Sequence, residues 1–280
     1  MLKIIIWLSC ICTVMAQSGP DSLCLRKAEK AFSNENYREA LVLVSGCSQG
    51  KGAFRIKGLS YHGLYQADSA VVYLQKAADA PEAGDSVLLG CAEALLWKKD
   101  FKAALGMMSR TADKKDADYK RIAALYLEMM GKFAEASAYY DTLLLQDKRP
   151  WNTLLRKAQV LSWMKHFDES IELFTKILTY PEAPKAVKMT AILRRAEVAA
   201  WQKKTGKALH ELDSLIAANS ALSTPSAELD RLLEAWQLKG RFLEWEGRFP
   251  EAKEAYKNIL LKRPDNKQAQ MSLENLLWVK

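Results

Sequence analysis

Residues 92–108 read AEALLWKKDFKAALGMM, and residues 240–256 read GRFLEWEGRFPEAKEAY. Both follow one pattern: a small residue, Trp five later, an aromatic four after that, Ala three further on, and a large apolar residue after four more. In the first the positions are Ala92, Trp97, Phe101, Ala104 and Met108; in the second they are Gly240, Trp245, Phe249, Ala252 and Tyr256. The pattern returns at Ala158, Trp163, Phe167, Ser170 and Phe174. With Met in the Trp slot it returns at Ala124, Met129, Phe133, Ala136 and Tyr140. Apolar residues three and four apart give a helix one dry face and one wet face. Self-similarity with a period in the mid-thirties marks a helical solenoid, whose units bury their apolar faces on one another.

Small residues extend the register along the chain. They stand at Ala28, Gly58, Ala92, Ala124, Ala158, Ala196 and Gly240, and twelve residues later at Ala40, Ala70, Ala104, Ala136, Ser170, Ala208 and Ala252. Two helix backbones approach closely only where side chains are small, so each pair marks the contact between the first and second helix of a unit. Short polar stretches such as Lys98-Lys99-Asp100, Gly131-Lys132 and Glu246-Gly247-Arg248 break the pattern between the two helices. Prolines at 81, 150, 181, 184, 225 and 264 fall between units and stop the second helix. The first anchors are spaced 30, 34, 32, 34, 38 and 44 residues apart. The excess in the last two intervals is expected in Tyr180–Lys188 and Ala217–Leu229, the latter as a longer loop.

The register resembles the tetratricopeptide repeat, a helix-turn-helix unit of 34 residues. The last unit is nearest to that family's pattern, with Trp236, Gly240, Gly247, Ala252, Tyr256 and Pro264 in place. The aromatic three before the second small residue is missing at Ala67 and Thr205. The resemblance implies an all-α, right-handed α-α superhelix of about seven repeats over residues 17–266. A capping helix is expected over 267–280, with Met271, Leu273, Leu276, Leu277 and Trp278 on the last unit. Phrases such as AQVLSWMKHFDESIELF are similar in style to repeats of bacterial envelope proteins, including parts of exopolysaccharide export machines. The Lys/Asn clamp that some relatives use for chaperone C-termini is not reproduced.

The N-terminus reads as a secretory leader: Lys3, an apolar run from Ile4 to Val14, and Val14-Met15-Ala16 before Gln17. Cleavage after Ala16 is expected, with an uncleaved anchor or lipid attachment at Cys10 or Cys12 as alternatives. No later run is apolar enough to span a bilayer. Loss of Lys3, and of no acid, takes the formal net charge from +8 to +7. The basic residues are dispersed, so nucleic acid is not an expected partner; an anionic membrane or acidic glycan stays open. In an oxidising compartment Cys24, which opens the first helix of unit one, and Cys47, which closes the second, are expected to pair. Cys91 reads as a small core residue, with an intermolecular disulfide as the alternative.

The sequence carries no recognisable catalytic signature. His62, His166 and His210 fall in different units, and no His-Glu-x-x-His string or paired Cys motif offers a zinc site. Gly58-Leu59-Ser60-Tyr61-His62-Gly63 lacks the spacing and the preceding strand of a nucleophile elbow. No enzyme activity, metal or cofactor is expected. The Trp series Trp97, Trp163, Trp201 and Trp245 closes four first helices. It reads either as a stacked ladder between units or as an aromatic strip able to hold a peptide or sugar. Groove positions on the first helices carry Arg121, Glu128, Gln159, Glu197, Arg241 and Glu244. The expectation is a secreted or periplasmic scaffold for protein partners in a cell-envelope assembly. A glycan-binding module, or an enzyme with a cross-unit acidic site, are its rivals.

Overall fold

The computed structural model describes residues 20–79 and 83–276. The expected leader, Leu277 and Trp278 lie outside the described residues. Among the described residues there are fifteen helices and no strand. They run in chain order as α1 (Pro20–Ser33), α2 (Tyr37–Ser45), α3 (Lys51–Gly63), α4 (Ala67–Ala78), α5 (Asp85–Trp97), α6 (Phe101–Ser109), α7 (Ala117–Met129), α8 (Phe133–Leu144), α9 (Trp151–Trp163), α10 (Phe167–Leu178), α11 (Lys185–Trp201), α12 (Thr205–Asn219), α13 (Ala227–Trp245), α14 (Phe249–Lys262) and α15 (Lys267–Asn275). The helices form seven consecutive pairs and a final single helix. They fall into two compact units, one ending at Tyr126 and the other beginning at Leu127.

Each pair is closed by the same turn. The residue two past the first helix sits in the left-handed region, and the next amide donates back to a carbonyl five residues earlier. Asp100 N–H reaches Leu95 O at 3.0 Å, His166 N–H reaches Leu161 O at 2.9 Å and Arg248 N–H reaches Leu243 O at 2.8 Å. This Schellman geometry satisfies carbonyls that the helix end would otherwise orphan. Glycine suits the turn at Gly131 (φ 73°) and Gly247 (φ 71°), but Lys99, Lys165 and Lys203 hold φ of 61°, 66° and 62° there. A side chain in that region costs about 1 kcal/mol, so three lysines occupy places where glycine is the more stable choice. Side-chain caps start several helices, as where Ser226 Oγ accepts the Leu229 N–H at 3.2 Å.

The fourteen small anchor residues are all buried. At Gly240 a Cβ would stand 2.5 Å from the Tyr256 ring, and at Gly58 it would stand 2.6 Å from Leu74 Cγ. Close approach of the paired helices therefore decides these residues. In the first unit α1, α2 and α3 share a core of Ala28, Ala31, Ala40, Val44, Ala53 and Ile56. Cys47 lies at its edge, joined to Cys24 by a disulfide with the Cα atoms 5.7 Å apart. Cys91 is a free thiol in the interior, its pKa pushed up to about 11 by burial. In the second unit Phe174 and Ile177 fill the core between α9, α10 and α11. A larger core joins α11 to α15.

Two expectations need correction. The long anchor spacings are taken up mainly as helix: α11 has 17 residues and α13 has 19, against 13 in α9. Residues 185–201 and 227–245 contain no proline, and extra turns satisfy their own backbone where a long loop would not. The loop between α12 and α13 is confined to residues 220–226. In α15 Ala269 is buried and Leu273 packs on the core, as does Leu276 just past its end, but Met271 points into water. It lies on the opposite face of the helix from the other three.

Candidate functional site

The slot directly after the first-helix anchor holds a charged or amide side chain at Glu29, Glu93, Gln159, Glu197 and Arg241, and a leucine at Leu59 and Leu125. In the second unit α9 lies beside α11, and α11 beside α13, so equivalent slots on successive first helices become neighbours. Glu197 accepts from Arg241 Nη2 at 3.2 Å and pairs with Arg194 on its own helix. Arg194 reaches on to Glu234, which also takes Arg231. Arg194, Glu197, Glu234 and Arg241, with Gln237 and Arg263, line a cleft of 390 Å³. Arg263 closes its far side through Asp230 at 2.7 Å.

The first unit has a cleft of 370 Å³ whose lining includes Asp85, Glu93, Asp113, Asp118, Arg121 and His62. Arg121 forks onto Glu93 with bonds of 2.7 and 3.0 Å, and His62 Nε2 lies 3.1 Å from Glu93 Oε2. His62 also stacks on Trp97, with ring centroids 4.7 Å apart. Asp85 accepts the backbone N–H groups of Ala112 and Asp113, both at 3.0 Å. Those bonds, that of Asp113 first, lower its pKa.

Glu93 is 8% exposed. Burial alone would raise its carboxyl, but the bonds and charges of His62 and Arg121 outweigh burial and bring it to about 2, from 4.5. A depressed carboxylate stabilises the fold above pH 4.5 and loses that contribution as pH falls toward 2. Arg121 is 47% exposed, so solvent weakens the pair, and the contribution is on the order of 2 kcal/mol. Melting curves between pH 7 and pH 2 test this. The wild-type chain should lose more stability below pH 4.5 than Glu93→Gln, and identical pH profiles would contradict the assignment.

The six groove residues expected from sequence separate into three groups. Glu197 and Arg241 meet in the second-unit cleft, and Arg121 stands in the first-unit cleft. Glu128 is buried and accepts from Tyr140 Oη at 2.8 Å and from Arg156 at 3.1 Å. Glu244 accepts from the Tyr256 hydroxyl, whose pKa is raised by burial and by that carboxylate. These two glutamates serve the helix pair, because the slot one turn beyond the anchor faces the second helix. Gln159 donates to Ser162 Oγ at 3.0 Å on its own helix. Sequence reasoning missed Arg194, Glu234, Gln237, Glu93 and His62. Glu93 could have been found, since it holds the same slot as Glu197.

The two readings of the tryptophans divide: Trp97 is half-buried against His62, and the other three are exposed. Trp163, Trp201 and Trp245 are 41%, 43% and 60% exposed. Each ends a first helix, where the chain turns away and leaves one ring face uncovered. Trp163 rests its other face on Phe133 at 5.2 Å, and Trp245 rests on Phe242 at 5.2 Å.

Compared with known protein families and with curated proteins, the sequence matches none. Solved structures do share its fold. The C-terminal part of a TPR repeat-containing protein from Cytophaga hutchinsonii superposes with a TM-score of 0.51 at 21% identity, over 89% of this chain and 99% of that one. A tetratricopeptide repeat protein from Parabacteroides merdae gives 0.57 at 15% identity, over 79% and 86%. A chain of the APC/C hetero-tetramer Cut9-Hcn1 gives 0.61 at 11% identity, over 89% of this chain and 46% of its own length. The chain thus has the tetratricopeptide-repeat fold.

Proposed function

From a tetratricopeptide-repeat fold that carries a charged cleft in each unit, we propose that the chain is a non-catalytic scaffold for a protein partner. The observation that carries this is the second-unit cleft, where Arg194, Glu197, Glu234 and Arg241 are held by one another on rigid helices. A partner would meet a surface already ordered, so binding would forfeit little side-chain entropy. Alternating charges suit a polar segment better than an apolar one. The Cut9-Hcn1 neighbour is itself part of a protein assembly, which supports the reading. Among the described residues no helix is long and apolar enough to cross a membrane.

The scaffold is proposed to act outside the inner membrane, within a cell-envelope assembly. The leader pattern at residues 1–16 supports export, and the Cys24–Cys47 disulfide is at home in an oxidising compartment.

A photo-crosslinking residue at Gln237 in the full-length chain, expressed in its own host, tests both parts. One defined protein adduct is expected, absent when Arg241→Glu is added. No protein adduct, or an adduct indifferent to Arg241→Glu, would end the cleft reading. N-terminal sequencing of the same material should begin at Gln17 in the envelope fraction; Met1 in the cytosol would end the export reading.

A further inference from the structure

Consecutive helix pairs in the second unit turn over at one edge, because their first helices lie side by side. Every turn on that edge presents a large apolar side chain to water: Met130 at 46% exposed, then Trp163, Trp201 and Trp245. A cation follows within three residues each time, as Lys132, Lys165, Lys203 and Arg248. Lys132 and Arg248 are matched by Glu135 and Glu251. Lys165 and Lys203 have no ion pair among the described residues. Lys204 and Lys207 follow Trp201 closely in the chain, and Lys204 Nζ donates to the Gln202 amide oxygen at 2.7 Å. The acids nearby are Asp168, which accepts from Gln202, Glu169, which lies 3.1 Å from His166, and the exposed Glu246 next to Trp245, so the cationic excess lies around Trp201.

Backbone conformation adds an independent observation. At the same point of the turn the edge uses Gly131 and Gly247, but Lys165 and Lys203 stand there in the left-handed region. They follow Trp163 and Trp201 by two residues, and Lys99 follows Trp97 in the same way in the first unit. The same turn position holds Glu35 and Tyr65 in the first unit, but where a Trp stands two residues before it the residue is lysine in three turns of four, which points to a use for that side chain beside the aromatic.

The geometry points to a docking edge for an anionic bilayer surface, met peripherally by the Trp163, Trp201 and Trp245 rings with Lys165 and Lys203 over the headgroups. Tryptophan, with an apolar body and one polar N–H, partitions to the boundary between acyl chains and headgroups. Lysine lays its stem along the apolar layer and holds its ammonium at the phosphates. A bilayer is continuous and deformable, so it can meet turns spaced by a helix-pair repeat without a matching sequence. The proposal stands apart from the cleft, and its test contains no protein partner.

The test uses protein purified from its host, wild type and variants in the same form, with sucrose-loaded vesicles of phosphatidylcholine alone or of phosphatidylcholine and phosphatidylglycerol at a ratio of about 7:3. The wild-type protein should sediment with the anionic vesicles, more weakly as salt rises, and little with neutral ones. Trp163→Ala/Trp201→Ala/Trp245→Ala should lower the partition coefficient by at least about tenfold. Lys165→Gly/Lys203→Gly should lower it several-fold while leaving Tm unchanged or raised, since glycine relieves the turn. That pair decides the matter if the tryptophan variant does not fold. Three results would overturn the docking edge: no sedimentation with anionic vesicles, sedimentation unchanged in the variants, or capture by a soluble acidic polysaccharide in preference to vesicles.

Discussion

A Phe174→Ala chain should be less stable than the wild type by about 3–5 kcal/mol. Phe174 is fully buried among Leu154, Ala158, Ile177, Ala191 and Val198, so its loss empties a ring-sized space between α9, α10 and α11. The three helices cannot close on that space, because Ala158 and Ala191 already hold backbones near their closest approach. The neighbouring aromatics make the control. Trp245→Ala removes a larger side chain, but one with more than half of its surface in water, and should cost no more than about 1 kcal/mol. Urea unfolding of both variants, monitored by circular dichroism, measures the difference. Equal losses would mean that the tryptophans are core residues after all and would remove the basis of the docking edge.

The second large effect is expected at the other end of the chain. Opening the Cys24–Cys47 bridge with Cys24→Ala/Cys47→Ala should destabilise the first helix pair by about 3 kcal/mol, from the entropy of a loop closed across 23 residues. The small core around the bridge is built chiefly of alanines, with Val44 and Ile56 as its larger members, and has little apolar area to offset that loss. The consequence should be local. Hydrogen exchange should speed up in α1 and α2, while the helices of the second unit keep their protection. Unchanged exchange in α1 would show that the alanine contacts alone hold the pair.

The candidate site was legible in part. Glu197 and Arg241 were identified from their register slots, and they do share a cleft. Glu128 and Glu244 carried the same weight in the sequence but are tied to Tyr140 and Tyr256. The distinction depends on where a long side chain is received by the facing helix, which spacing along one helix does not encode. Arg194 and Glu234 escaped notice because they lie 40 residues apart and meet only once two first helices are side by side. The tryptophans stayed open between ladder and strip for a similar reason. Their size and period match a core residue, and only the departure of the chain after α9, α11 and α13 leaves them in water.

By itself the sequence determined the helix pairs, their order and their points of closest contact. Those depend on residue size and on spacings within one helical hairpin, where an Ala or Gly either admits the facing backbone or does not. Only the tertiary structure decided which charges join across pairs, which aromatics face water, and that the extra residues near 185 and 227 lengthen helices. These depend on neighbours 28 to 44 residues away in the chain, and on solvent reaching an edge, neither of which a local pattern can express.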